Sequence, residues 1–158
     1  MSEHGGCPGS RTLVFKDRDE TSAAGTGNIQ SQLRQWPVQL HLVSPGAAYF
    51  QGADVLLAAD CTAFAAGGFH SEHLRGKSLA IACPKLDEGK EVYIEKIRSL
   101  IDDAKINTLT VMTMEVPCCG GLLALAMEAA GNASSKVPIK STVLSLQGEI
   151  LREDWVSA

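Results

Sequence analysis

Five cysteines in the 158-residue chain are the residues whose positions most clearly suggest chemistry. Two of them, Cys118 and Cys119, are adjacent in the segment MEVPCCGG, between a β-branched run and an alanine- and leucine-rich run. We predict that they open a helix, where unpaired backbone N–H groups and the helix dipole favour thiolate over thiol. Gly120 and Gly121 would then let backbone N–H groups approach a bound sulfide or another anion. Such an arrangement suits a metal or iron–sulfur centre.

The other cysteines are predicted to reach the same place. Cys61 follows the apolar segment DVLLAAD, and Cys83 ends the apolar segment SLAIAC. Parallel strands lie about 4.8 Å apart and end at one edge of the sheet, where open α/β sheets bind their ligands. Cys7 lies in the glycine-rich segment HGGCPGS, which we expect to fold over this edge. The candidate metal ligands are therefore Cys7, Cys61, Cys83, Cys118 and Cys119.

Two other interpretations of these residues compete with a cysteine-ligated centre. Free cysteine packs as a small apolar residue, and the chain has no C-x-x-C pair and none of the usual ferredoxin spacings. His70 and His73 are three residues apart, as are His4 and Cys7, and zinc accepts such mixed ligands. We interpret the pair His70 and His73 as a solvated helix end rather than a zinc site.

The strands and helices that must position the cysteines alternate along the chain. Residues 1–27 are predicted to form an irregular, cysteine-containing loop and linker, and residues 28–158 an α/β domain, so that the chain is one structural domain overall. Strands are predicted at 38–43, 54–60, 78–83, 107–114 and 139–146, with a short strand at 12–15 and helices at about 91–104 and 121–130.

The long predicted strands are continuously apolar and separated by crossover segments. This pattern is typical of a mostly parallel sheet covered on both faces. We therefore predict an α/β fold: a three-layer, mostly parallel five-stranded sheet of Rossmann or flavodoxin type, with an irregular N-terminal segment. The alternative for the last strand is an antiparallel edge. Trp36 and Trp155 are expected to be packing anchors, and Phe64 and Phe69 to shield the bound centre.

Composition and charge exclude several classes of function. The chain is 45% apolar and 20% charged, with a net charge of −4, which gives no support for binding nucleic acid or anionic membrane. No segment is predicted to cross a bilayer, and the N-terminus has no secretory pattern, so we expect a cytoplasmic protein with reduced cysteines. Nucleotide-binding glycine motifs are absent. Apolar stretches such as PGAAYFQGA would support a homodimer.

Five segments also carry a resemblance to a known family. In chain order they are HGGCPGSR, QWPVQLHLV, GADVLLAADCTAFA, CPKLDEG and MEVPCCGG. They resemble the C-terminal domain of ferredoxin-like (4Fe–4S) iron–sulfur proteins from anaerobic prokaryotes, over residues 4–151 approximately. The resemblance implies an intracellular redox role and draws attention to the same five cysteines. In those proteins a two-cluster ferredoxin segment precedes the domain; this sequence does not contain it, so we expect an excised domain or a stand-alone relative that takes electrons from a redox partner such as a ferredoxin.

Three hypotheses of function follow. The first is a protein that binds an iron–sulfur cluster, of the 4Fe–4S type by resemblance, and serves electron transfer or redox chemistry. The second is a metal-free thiol redox enzyme or sensor, with a low-pKa thiolate at Cys118 or Cys119 as the nucleophile and Cys61 or Cys83 as its partner. The third is a zinc-binding or purely interacting module in which the cysteines only fill the core.

Overall fold

A five-stranded sheet forms the centre of the structure, a computed structural model that describes residues 11–16 and 29–157. The strands, in chain order, are β1 (Leu13–Val14), β2 (Gln35–Trp36), β3 (Asp54–Ala59), β4 (Ser78–Ala82), β5 (Thr108–Met114), β6 (Ile139–Leu144) and β7 (Ile150–Val156). The helices are α1 (Thr62–Ala65), α2 (Lys90–Asp102) and α3 (Gly120–Asn132), with 3-10 turns at Ala48–Phe50 and Pro117–Cys119 and a π-helical turn at Phe69–Leu74.

The large sheet has the strand order β4-β3-β5-β6-β7. Strands β3 to β6 pair in parallel, and β7 pairs antiparallel with β6 at the edge. Because crossovers between parallel strands are right-handed, α2 and α3, which pack against each other, cover one face, while α1 and the π-helical turn cover the other. The predicted α/β class with a mostly parallel five-stranded sheet is confirmed.

The two edges of the large sheet differ from those predicted from the sequence. The predicted strand at 38–43 is wrong: Gln39 forms only an isolated bridge with Ile81, and the chain then turns. The fifth strand is instead β7, which the sequence analysis did not assign to any element. The predicted antiparallel edge therefore exists, but it is one strand further along than the strand at 139–146, which pairs in parallel.

Lys96 on α2 explains how the apolar segment at 38–43 avoids strand pairing. Its ammonium group donates hydrogen bonds to the carbonyl oxygens of Leu40, His41 and Val43, at 3.0, 2.7 and 2.9 Å. Three carbonyls that would otherwise need a neighbouring strand are satisfied by one side chain. Burial lowers the pKa of Lys96, which is consistent with an ammonium group withdrawn from water into this turn.

Lys96→Met should therefore destabilise the protein. The substitution keeps an unbranched apolar stem but removes the donor, and we expect the free energy of unfolding to fall by about 2 kcal/mol, the scale of hydrogen bonds made by a charged group. Urea denaturation followed by circular dichroism measures this change. Lys90→Met, at an exposed position on the same helix, is the matched control and should change the free energy by much less. Equal effects of the two substitutions would contradict this role of Lys96.

The core lies on both faces of the sheet, under the α2–α3 layer on one face and under the π-helical turn on the other. Ile97, Leu100 and Ile101 of α2 and Leu122 of α3 are almost fully buried. Trp155 is not a packing anchor, because 62% of it is exposed on β7. The structure finds no helix, within residues 11–16 and 29–157, long and apolar enough to cross a membrane.

The outer edge of β4 is closed by the segment that leads into the sheet. Val38 O accepts a hydrogen bond from Ile81 N at 2.8 Å, and Leu40 N donates to Ile81 O at 2.9 Å. The buried side-chain amide of Gln35 continues this ladder, because it donates to Leu79 O and accepts from Leu79 N. Side chain and backbone together thus satisfy the groups that an edge strand would otherwise leave unpaired.

A separate two-stranded sheet, formed by β1 and β2, precedes this edge segment in the chain. The short strand predicted at 12–15 is present as β1, which pairs antiparallel with β2. Most of the predicted irregular segment 1–27 lies outside the described residues, so the proposed domain boundary at residue 27 stays a prediction.

The turn between β6 and β7 packs directly on the end of α1. Gly148 has a φ of +88°, a conformation that favours glycine, and a Cβ atom built there would lie 2.2 Å from the carbonyl oxygen of Ala65. Backbone therefore meets backbone at this contact, with no room for a side chain between the turn and the helix.

Asp54 ties the beginnings of β3 and β5 together. Its Oδ1 atom accepts hydrogen bonds from Thr108 Oγ1 at 2.7 Å and Asn107 Nδ2 at 2.8 Å. These bonds, from Thr108 first and Asn107 second, lower the pKa of Asp54 below its ordinary value of 3.8. A carboxyl group whose pKa is lower in the folded state stabilises the fold above the pKa of the unfolded state, and this stabilisation is lost as the pH falls through the folded value.

Asp54→Asn should consequently destabilise the protein at neutral pH but not in acid. At pH 7 we expect a loss of about 1 kcal/mol, because two hydrogen bonds to a carboxylate are weakened at a partly solvated position. The difference from the wild type should shrink below pH 4 as Asp54 becomes protonated, and thermal unfolding at a series of pH values measures it. Glu128→Gln, on the exposed side of α3, is the control. A difference that persists unchanged in acid would contradict the assignment.

Candidate thiol site at the carboxyl edge of the sheet

The carboxyl ends of β3, β4 and β5 meet at one edge, and each is followed by cysteine. Ala59, the last residue of β3, pairs with Ala82, the last residue of β4. Cys61 and Cys83 come directly after these ends, and the 3-10 turn that holds Cys118 and Cys119 follows β5. The parallel register thus brings four of the five predicted ligands to the same edge of the sheet.

This edge contains a point where the connections of neighbouring strands diverge. The chain leaves β3 through α1 towards β4, but it leaves β5 through α3 towards β6, on the opposite side of the sheet. Adjacent strands whose connections run in opposite directions leave a crevice between them, which is where open α/β sheets bind ligands. Cys61 lies on one side of this crevice, and Cys118 and Cys119 lie on the other.

The charges of Cys118 and Cys61 both act on the thiol of Cys119. Burial raises the pKa of Cys119, and negative charge on Cys118 and on Cys61 raises it further, while a hydrogen bond with the Met114 backbone lowers it. Cys119 is only 6% exposed, whereas Cys61 and Cys118 are exposed and Cys83 is half-buried. The lowered pKa expected for a thiol at the start of a helix is therefore not found at Cys119, because burial and the neighbouring sulfur atoms outweigh the helix dipole.

The glycines after the cysteine pair have different surroundings. A Cβ atom at Gly121 would contact Cβ of Pro84 at 3.4 Å, so α3 starts close against the loop that follows β4. A Cβ atom at Gly120 would meet nothing within 4 Å of the described residues. Packing thus favours a small residue at 121, and the space at 120 is open to the outside of the site.

Asp87 fixes the loop that carries Cys83. Its Oδ2 atom accepts hydrogen bonds from the Cys83 backbone N–H at 2.9 Å, from the hydroxyl of Tyr93, and from Nε2 of Gln39 at 3.4 Å. Although burial opposes ionisation, these bonds, with Tyr93 first, hold the pKa of Asp87 below its usual value. The buried Tyr93 hydroxyl has a raised pKa through its own burial and its bond to this carboxylate, and it stays protonated as the donor.

A second carboxyl group lies behind Cys61. Burial, and after it the charge of Asp87, raises the pKa of Asp60. Within the described part of the chain its buried Oδ1 atom has no hydrogen-bond partner. The pKa of Asp60 is thus shifted in the direction opposite to that of Asp87.

The described histidines have partners other than the cysteines. His70 accepts a hydrogen bond from the Gln32 backbone at 3.0 Å, and His73 is buried beside Phe69, on the other face of the sheet. His41 stacks on Tyr93, with ring centroids 4.2 Å apart, and its Nε2 atom lies 2.6 Å from Glu88 O. In residues 11–16 and 29–157, no three histidine, cysteine or acidic side chains are grouped closely enough to hold a metal ion by themselves.

The predictions for Phe64 and Phe69 and for the N-terminal loop have different outcomes. Phe64 does not shield the edge, because it is 93% exposed, while Phe69 is buried in the core. Cys7 and His4 lie outside the described residues, so the predicted role of the N-terminal loop as a source of a ligand stays a prediction.

Comparison with known proteins places the fold in a family. The Rossmann-like domain family matches residues 47–157, which include every strand of the large sheet and four of the five cysteines. The chain belongs to this family. A protein of Archaeoglobus fulgidus that is described as uncharacterized is similar to this Rossmann-like domain, with 28% identity over 121 residues, or 75% of this chain and 83% of that protein. No solved structure matches the chain.

The thiols of the metal-free Rossmann-like domain should differ in reactivity. We expect Cys61 and Cys118, which are exposed, to be alkylated at least about ten times faster than Cys119, whose burial and raised pKa both reduce the population of accessible thiolate. Iodoacetamide labelling with fragment-resolved mass spectrometry measures each rate. The same labelling in urea, where all thiols are accessible, is the control. Fast labelling of Cys119 in the folded protein would contradict the geometry described above.

Proposed function

We propose that this Rossmann-like domain binds an iron–sulfur cluster through cysteines at the carboxyl edge of its sheet and acts in electron transfer or redox chemistry. The observation that carries the proposal is the proximity of Cys61, Cys118 and Cys119 at the crevice between β3 and β5, with Cys83 at the end of the adjacent strand. Cys7 is the fifth candidate ligand.

The chemistry of the donor set supports a metal centre here. Cys119 is less acidic because it is buried, and thiolate charge on Cys118 and Cys61 opposes its ionisation further. A bound cation removes this repulsion, since it deprotonates the coordinating thiols and neutralises their charge. The described thiols do not complete a site by themselves, which is consistent with a ligand from the N-terminal loop that contains Cys7.

Other residues of the chain would hold the cysteine ligands in position. Asp87 holds the Cys83 backbone through its hydrogen bond, and Tyr93 and Gln39 hold Asp87. Cys119 is excluded from water, whereas Cys61 and Cys118 face the outside, so the centre would lie close to the surface of the protein. An iron–sulfur cluster supplies one-electron transfer when it is bound, and a position near the surface permits exchange with a partner protein.

The resemblance of the sequence to the C-terminal domain of ferredoxin-like (4Fe–4S) proteins also supports the proposal. The segments that carry it include Cys7, Cys61, Cys83, Cys118 and Cys119, so the resemblance and the geometry point to the same residues. From this resemblance we infer a ferredoxin as the class of redox partner and the cytoplasm as the location.

Anaerobic purification and reconstitution with iron and sulfide test the proposal. We expect a brown protein with about four iron and four sulfide per chain, as in a cubane cluster. Cys61→Ser and one of the two variants Cys118→Ser and Cys119→Ser should lose most of the iron, because strand geometry favours only one of the adjacent pair pointing inward. Five thiols exceed the four ligands of a cubane, so one substitution among the five cysteines is expected to leave the iron content unchanged.

Lys90→Met, which lies on α2 and removes no thiol, is the control and should keep its iron and its visible absorbance. A colourless protein without iron after anaerobic reconstitution would overturn the proposal. So would normal iron content in all five serine variants.

The metal-free alternative gives a different result in the same preparation. A thiol enzyme or sensor would contain no iron, and Cys118 would be alkylated quickly at neutral pH whether or not the protein had been reconstituted. Cluster ligands, in contrast, should resist alkylation until a chelator removes the iron. The exposed Cys118 is the nucleophile that this alternative favours, because the pKa of Cys119 is raised.

A further inference from the structure

Strand β7 is an edge strand that no other described segment covers. Residues 150–155 of this strand are all exposed, and its only described neighbour in the sheet is β6. The opposite edge of the sheet, at β4, is closed by the segment around Gln35 and Leu40. An open strand of seven residues presents unpaired backbone N–H and C=O groups, which can pair with another strand.

The sequence of β7, ILREDWV, is complementary to itself in the antiparallel direction. When Glu153 is opposite Glu153 of a second copy, Arg152 is opposite Asp154 and Asp154 is opposite Arg152. Apolar residues flank these pairs on both sides, because Leu151 then lies next to Trp155 and Ile150 next to Val156. Ile150, Leu151 and Trp155 are 50%, 55% and 62% exposed in the single chain, so such pairing would remove exposed apolar surface from water.

From this pattern we infer that β7 pairs with β7 of a second copy of this chain, in antiparallel register about Glu153, to form a symmetric dimer with a continuous ten-stranded sheet. The interface is isologous, as two-fold symmetry requires. The surface is distinct from the apolar stretch PGAAYFQGA, which the sequence alone suggested for a homodimer.

The charges of Arg152 and Asp154 favour this register over the neighbouring registers. A slip must be of two residues to keep every side chain on its own face of the sheet, and it would place either Arg152 opposite Arg152 or Asp154 opposite Asp154. In the inferred register these residues instead form four alternating charges on one face, since Arg152 Nε also lies 3.9 Å from Asp154 Oδ2 within each chain. Opposite charges directly across a strand pair are stabilising, and like charges are destabilising.

The two glutamates on the symmetry axis are the unfavourable part of this register, and the structure offsets it. Glu153 forms an ion pair with Lys140 Nζ at 2.8 Å and accepts a hydrogen bond from Thr142 Oγ1 at 3.1 Å. The carboxylate on the axis is therefore neutralised from within its own chain. Beyond Arg152, a bulge in the pairing with β6 ends the regular part of the strand, so residues 152–154, which are regular in both copies, form the regular core of the interface.

Exchange of the two charges tests both the interface and its register. Analytical ultracentrifugation of the whole chain over a concentration series should show a species of twice 16.7 kDa. Arg152→Asp or Asp154→Arg alone turns two attractive pairs into two repulsive ones, and each should raise the dissociation constant about tenfold or more. The double variant Arg152→Asp/Asp154→Arg has the composition of the wild type and should recover the dimer.

Lys90→Asp makes the same change of charge as Arg152→Asp at an exposed position on α2 and should leave the dimer intact. Circular dichroism establishes that each variant is folded. A wild type that is monomeric at every concentration overturns the inference. A dimer that is insensitive to both single reversals, or a double variant that stays monomeric, overturns it as well.

Hydrogen exchange of the wild type gives a measurement that needs no variant. Backbone amides of residues 150–156 should gain protection as the protein concentration rises, while the amides of α2 should not change. Protection of β7 that is independent of concentration would overturn the inference.

Discussion

Parallel pairing of β3, β4 and β5 is the constraint on which the candidate site depends. Strands that run in one direction end at one edge, so residues far apart in the sequence become neighbours without any direct bond between them. Ala59 opposite Ala82 sets this register for Cys61 and Cys83, and the divergence of the chain after β3 and β5 opens the crevice beside Cys118. The hydrogen bonds of Asp87 and the burial of Cys119 refine positions that the sheet has already determined.

The sequence was sufficient to predict most of the sheet, because four of its strands are largely buried and rich in apolar and β-branched residues. It was misleading at the two edges for opposite reasons. The segment at 38–43 has the composition of a buried strand, but its carbonyl oxygens bind the ammonium group of Lys96, more than fifty residues later in the chain. Strand β7 is charged and exposed, so it lacks the apolar pattern that identifies the other strands, although its backbone pairs regularly with β6.

The candidate site, like the sheet, could be predicted from the sequence only in part. The cysteines at strand ends could be predicted, because strand direction alone brings them to one edge. The pKa of Cys119 could not, since burial by the folded chain and the sulfur atoms of Cys118 and Cys61 act against the helix dipole. Asp87 and Tyr93 are six residues apart, a spacing that indicates no common motif. Their hydrogen bond depends on how the loop after β4 folds back on α2.

The contact between Gly148 and Ala65 has a mechanical consequence. The turn that contains Gly148 leads directly into β7, and the helix that ends at Ala65 begins directly after Cys61. Because main chain touches main chain there, no flexible side chain can absorb a displacement of either element. The edge strand and the carboxyl edge that carries Cys61 are therefore connected through a contact between main-chain atoms.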